Sequence, residues 1–123
     1  MPGKVLLIDD DPDLLPMMTA AFKTHGFDTV SARDGREGMK LFHSEQPDLV
    51  ITDIVMPEQE GIATIIQIKR DTRPAKVIAI SGGGRSGKGD FLVWAKELGA
   101  DEVLRKPFRM SELVAAARRL IEN

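Results

Sequence analysis

The feature that most constrains the fold of this chain is the way its apolar residues change period. Short, nearly uninterrupted apolar runs occur at Lys4–Asp9, apolar from Val5 to Ile8, at Asp48–Thr52 and at Lys76–Ser81. A run without a polar face suits a strand covered on both sides, as in a parallel sheet with helical crossovers. Two weaker runs, Phe27–Ala32 and Glu102–Lys106, complete a set of five predicted strands. Between the strands the spacing turns helical. Leu14, Met17, Met18, Ala21 and Phe22 share one helical face, and core packing is the expected role of the Met pair. Gly35–Ser44 predicts a second helix packing through Met39 and Phe42, and Ile62, Ile65 and Ile66 mark a third. Phe91, Trp94, Ala95 and Leu98 mark a fourth, and Met110–Glu122 a fifth with Leu113, Ala117 and Leu120 inward. Five strands alternating with five helices predict an α/β domain, a parallel sheet covered on both faces, filling residues 1–123.

Local signals punctuate this pattern. Asp11-Pro12 reads as a cap and first position of the first helix, although Pro16 follows soon enough to delay or bend it. Gly26 is a stop signal. Gly38 sits inside the second predicted helix at a cost of about 1 kcal/mol relative to Ala, which a close helix–sheet contact would explain. Met56-Pro57 through Gly61 reads as a turn. His25 and His43 lie near helix ends without ligand-like spacing and read as surface residues; Trp94 reads as partial helix packing.

Composition narrows the function classes. A net charge of −2 gives no global attraction to nucleic acid or anionic membrane. The longest apolar run, Leu113 to Ala117, is far short of a membrane span, and MPGK lacks the apolar stretch of a signal peptide. Cysteine is absent, which removes disulfides and thiolate chemistry. A cytoplasmic location is the expectation these features support.

Chemistry is concentrated at the ends of the predicted strands. In open parallel sheets, ligands bind beyond the carboxyl ends of the strands. That rule gathers Asp9, Asp10, Asp53, Ser81 and Lys106, each at or just past a strand end. Three carboxylates facing one lysine repel one another, which raises a pKa or recruits a cation, and a hard divalent ion held by oxygens resolves the repulsion. Taken singly, each residue has an ordinary structural role: Asp9 and Asp10 as polar strand ends, Asp53 as a turn residue, Lys106 as a solvated side chain. Asp11 and Asp13 read as polar residues near a helix start. A competing motif, GGGRSGKG at Gly82–Gly89, nearly fits GxxxxGK[ST], but Gly89 stands where a hydroxyl would meet Mg²⁺. Neighbouring carboxylates would also repel a nucleotide triphosphate. They argue equally against flavin mononucleotide, whose phosphate loop would follow the first strand, where DDDPD stands.

With IDDD, the DLVITDIVMPEQEG block, the hydroxyl in AISGG and the RKPF ending in this order, the chain resembles the receiver domains of two-component response regulators along essentially its whole length. The resemblance implies a flavodoxin-like doubly wound five-stranded sheet of strand order 2-1-3-4-5. It implies that Asp53 is the phosphoryl acceptor, with a histidine kinase or histidine phosphotransfer protein as donor. Asp10 and Asp53 would bind Mg²⁺ through side chains, the backbone carbonyl of Val55 would add a ligand, and Asp9 would act through a coordinated water. Lys106 would pair with one phosphoryl oxygen, Ser81 would donate a hydrogen bond to another, and Gly82 would leave room for the group. The protein would not be an enzyme in the turnover sense, beyond phosphorylating and dephosphorylating itself. Output would pass through the residue 90–123 surface to a protein target, from a stand-alone receiver that is a monomer or weak dimer. An initiator-like Met1 and a finished final helix favour the stand-alone form; the alternatives are a receiver piece of a larger regulator or hybrid kinase and a phosphate-hydrolysing enzyme of similar fold. The chain departs from the family pattern at Val103, where Tyr or Phe is frequent. That puts the usual hydroxyl–aromatic switch in question and leaves a rearrangement around Ser81 and the 82–89 loop to replace it. Arg109 stands where an acidic or polar helix cap is frequent, and a positive charge there is mildly unfavourable.

Overall fold

The computed structural model describes residues 3–54, 60–81 and 91–122. Strands β1 (Lys4–Ile8), β2 (Asp28–Ala32), β3 (Leu49–Asp53), β4 (Lys76–Ser81) and β5 (Glu102–Arg105) alternate with helices α1 (Leu14–Thr24), α2 (Gly35–Glu45), α3 (Glu60–Arg70), α4 (Phe91–Glu97) and α5 (Met110–Glu122). All strand pairs are parallel, in the order β2-β1-β3-β4-β5. The flavodoxin-like order expected from the resemblance is therefore the observed one, and predicted strand ends hold to within a residue.

The continuous apolar runs have the predicted cause. Val5, Leu6, Leu7 and Ile8 are all fully buried, because alternate side chains enter cores on opposite faces of the sheet. Leu6, Val50 and Val77 lie side by side in register and join Phe42, Ile65, Ile68 and Ala95, so α2, α3 and α4 cover one face. Leu7, Ile51 and Ile78 join Met18, Phe22, Leu113 and Ala117, so α1 and α5 cover the other.

One core assignment needs correction, and packing resolves which residues of two other helical stripes turn inward. Met17 is 56% exposed, since α1 turns only Met18 and Phe22 fully into the core. The marked helix forms as α3, in which Ile65 and Ile68 are fully buried, Ile62 packs partly against the core and Ile66 is half-buried. Leu98 lies just past α4 and is 38% exposed, while Ala95 is fully buried. The side chains of Phe91 and Trp94 lie outside the described residues, as does most of the expected turn from Met56-Pro57 to Gly61.

Helix ends follow local chemistry. Pro16 falls within the first turn of α1, where a missing N–H leaves no intrahelical bond unmade, so no bend is needed. Gly26 takes the left-handed conformation (φ 88°) just after α1. The Asp34 carboxylate caps α2 by accepting from Glu37 N at 2.8 Å, and Glu37 Oε1 in turn accepts from Arg33 N at 3.0 Å. Ahead of α5, Glu112 Oε1 accepts from Arg109 N at 2.9 Å, so a carboxylate in the first turn offsets the unfavourable charge of Arg109. Gly38 meets the expected close contact, because a Cβ there would run into Ile8 Cδ1. No helix among the described residues is long and apolar enough to cross a membrane.

Candidate functional site

Parallel register aligns the strand ends. Ile8 lies beside Thr52, Asp53 beside Ile80, and Ser81 beside Arg105. One step further along the chain, Asp9 follows β1 and Lys106 follows β5. The main chain ties these ends together: Asp9 N donates to Ala32 O at 3.1 Å, Ile54 N to Ile80 O at 3.0 Å and Lys106 N to Ser81 O at 2.8 Å. Residues far apart in sequence are thus carried to one edge by backbone pairing.

Side chains complete the cluster. Lys106 Nζ donates to Asp53 Oδ2 at 3.0 Å and approaches Asp9 Oδ2 at 3.4 Å. Carboxylate oxygens of Asp9, Asp10 and Asp53 lie within 4.8 Å of one another. Asp9 and Asp53 are buried (0% and 4% exposed) while Asp10 faces solvent, so the cluster has a sealed floor and an open side. Ser81 is also buried, at the end of β4, and forms interactions of its own.

The electrostatics carry the strain that the composition of the cluster implies. Burial pushes the Asp9 carboxyl above its ordinary range, and the charge of Asp53 adds to the rise. The Asp11 amide and the Lys106 ammonium pull it down without cancelling the effect. At Lys106, burial opposes the charge, but the hydrogen bond and charge of Asp53, with the charge of Asp9, outweigh burial and raise the ammonium above its usual value. Formally, three carboxylates face one ammonium, so the site is an electronegative oxygen cluster that a cation would relieve. The donors are all hard oxygens, one side is open to water, and no thiolate or imidazole belongs to the group. That set fits Mg²⁺, which keeps several waters, better than a soft transition metal.

All the sequence-selected side chains in the described part, Asp9, Asp10, Asp53, Ser81 and Lys106, sit at or just past strand ends on this edge. The Val55 carbonyl, Gly82 and the 82–89 loop lie outside the described residues. Val103 is half-buried against the core face of α2, α3 and α4. His25 and His43 are exposed, as expected; His43 Nε2 lies 3.2 Å from Asp71 Oδ2. Asp11 caps α1 as the Asp11-Pro12 pair predicts, accepting from Asp13 N and Leu14 N, and it does one thing that reading does not include: its main-chain N–H donates to Asp9 Oδ1 at 2.8 Å. Its spacing two residues after Asp9, in an Asx turn, is the signal that could have found it.

The family described as the response regulator receiver domain matches residues 5–118. Transcriptional regulatory protein CpxR of Escherichia coli (strain K12) is 35% identical over 123 residues, covering 98% of this chain and 50% of CpxR. Transcriptional regulatory protein PrrA of Mycobacterium tuberculosis is 33% identical over 120 residues, covering 98% of this chain and 50% of PrrA. The chain spans about half the length of these curated relatives. Among solved structures, the receiver domain of Francisella response regulator 1452 superposes with a TM-score of 0.86 at 28% identity, covering 98% of this chain and 97% of that one. A response regulator structure from Chloroflexus aurantiacus shares the fold with a TM-score of 0.89 at 22% identity over the full length of both.

Proposed function

This chain belongs to the response regulator receiver domain family, and from that premise we propose that it accepts a phosphoryl group on Asp53 from phosphohistidine of a histidine kinase or histidine phosphotransfer protein. The observation that carries the reading is the contact at 3.0 Å between Asp53 and Lys106, inside a carboxylate cluster at the carboxyl edge of the sheet. A carboxylate oxygen of Asp53 attacks phosphorus, an O–P bond forms as the N–P bond breaks, and the imidazole leaves. Such transfer asks the protein mainly to position groups and neutralise charge. Mg²⁺, when bound, supplies positive charge to the phosphoryl oxygens, and Asp9, Asp10 and Asp53 would hold it, with the Val55 carbonyl as a further ligand.

The remaining roles fall to groups already beside Asp53. Lys106 exchanges its carboxylate partner for a phosphoryl oxygen, and its charge is secure because its pKa stands above the ordinary lysine value. Ser81, at the end of the adjacent strand, donates its hydroxyl to a second phosphoryl oxygen. Signal output through the residue 90–123 surface belongs to the same proposal. Incubation with a small phosphodonor and Mg²⁺ should add one phosphate, read by intact mass, that is base-labile. Asp53→Asn should take up none while remaining folded, because the change is nearly isosteric. Undiminished labelling of that variant would place the acceptor elsewhere.

A further inference from the structure

Resting on the acceptor-site reading above, we propose that Asp11 is a positioning residue for the site: its carboxylate locks the turn between β1 and α1, so that its own N–H holds Asp9 in the orientation that completes the carboxylate cluster. Asp11 Oδ1 accepts from Asp13 N at 2.8 Å and from Leu14 N at 3.2 Å, and Asp11 O accepts from Leu15 N at 3.2 Å. Asp13, the residue next to the helix, has a helical backbone and makes no side-chain capping bond. Capping of α1 has therefore moved back two residues to Asp11, and the first N–H groups of the helix fix where Asp11 sits.

From that anchored position Asp11 N donates to Asp9 Oδ1 at 2.8 Å. The other oxygen of Asp9 meets Lys106 at 3.4 Å, a longer and looser contact. The amide bond is thus the tighter of the two restraints on the Asp9 carboxylate. It works against the charge of Asp53, which repels Asp9. Asp10 lies between the two residues, so fixing the turn also sets where Asp10 enters the cluster. The path runs from helix to cap, from cap to Asp9 and from Asp9 to the cation-binding oxygens, the kind of outer support that orients metal ligands.

The test is a Mg²⁺ titration by calorimetry on wild type, Asp11→Ala, Asp11→Asn, Asp11→Gly, Asp13→Ala and Asp10→Ala, with amide hydrogen exchange at residue 11 in metal-free protein. Asp11→Ala should weaken Mg²⁺ binding by about tenfold, the scale typical of lost outer-shell support, and speed exchange of its amide. Asp11→Asn keeps the acceptor oxygen and should restore both properties; Asp13→Ala removes a neighbouring charge and should change neither. Glycine is tolerated at caps, so Asp11→Gly removes the same oxygen should the alanine variant fold poorly. Wild-type affinity and exchange in Asp11→Ala or Asp11→Gly overturn the proposal, as does an Asp11→Asn variant as weak as alanine, which would make charge rather than geometry the cause. A wild-type protein that takes up no Mg²⁺ would overturn the acceptor-site reading itself, whereas normal wild-type uptake lost in Asp10→Ala, with Asp11→Ala unaffected, would sink the positioning role alone.

Discussion

Asp9 shows how a residue proposed for the metal site is held at a cost to the fold. It has no exposed surface, its neighbour Asp53 has the same charge, and its carboxyl pKa stands above the ordinary value of 3.8 chiefly through burial. A raised folded pKa means that the native state binds the proton more tightly than the unfolded chain. Ionised Asp9 therefore destabilises the fold, fully above its folded pKa, and the penalty fades as pH falls through that value toward 3.8. Asp9→Asn keeps the shape and removes the charge. Without Mg²⁺ at neutral pH it should resist urea better than wild type, and the advantage should disappear near pH 4. Paired urea titrations across this range check the prediction; an advantage that grows on acidification would contradict it.

At the scale of elements, the close approach of α2 to β1 sets the floor beside the site. Gly38 is the contact point, and Ile8, the residue before Asp9, is what an added Cβ would strike. In an exposed helix Gly→Ala would gain about 1 kcal/mol. Here overpacking against a fully buried strand should reverse the sign, and Gly38→Ala should cost about 1–3 kcal/mol. Ile8→Val removes the Cδ1 atom in the way and by itself should cost about 0.5–1.5 kcal/mol. The double variant should then be more stable than the two losses added together, as expected for residues in contact. Urea midpoints for the four proteins measure the coupling; simple additivity would show that the helix moves away rather than pressing on Ile8.

For the molecule as a whole, the carboxylate cluster ties three strand ends, those of β1, β3 and β5, into one site. A cation that binds only this assembled edge must stabilise the entire fold by mass action, about 2.7 kcal/mol at a hundred times its dissociation constant. Melting temperature should therefore climb with Mg²⁺ beyond the effect of sodium chloride at matched ionic strength. The climb should be lost in Asp10→Ala, whose side chain faces solvent and whose removal leaves the core intact. Equal shifts in both proteins would assign the stabilisation to general screening.

Architecture was legible because its determinants are local. Continuous apolarity in Val5–Ile8 and Lys76–Ser81 marks strands covered on both faces, and the switch to helical spacing marks the crossovers. Parallel strands place their carboxyl ends on one edge, so the gathering of Asp9, Asp10, Asp53, Ser81 and Lys106 could be anticipated without coordinates. Which side of an amphipathic helix is fully buried was less legible. Met17 and Ile66 fit the inward spacing almost as well as Met18 and Ile68, and only packing against the sheet separates them. The contacts that Lys106 makes within the site were tertiary altogether. Lys106 meets Asp53 across 53 residues and Asp9 across 97, and no local preference reports which oxygen faces which nitrogen at such separations. The double use of Asp11 is local by contrast: its cap on α1 is legible in the Asp11-Pro12 pair, while its amide contact with Asp9, two residues back, emerges only with the geometry of the turn. Sequence by itself determined the periodicity, and hence the elements and the edge that gathers the charged residues, because period is written in neighbouring side chains. Tertiary structure decided the burial of each face and the orientation of each carboxylate, because both follow from pairing and packing between segments that are distant along the chain.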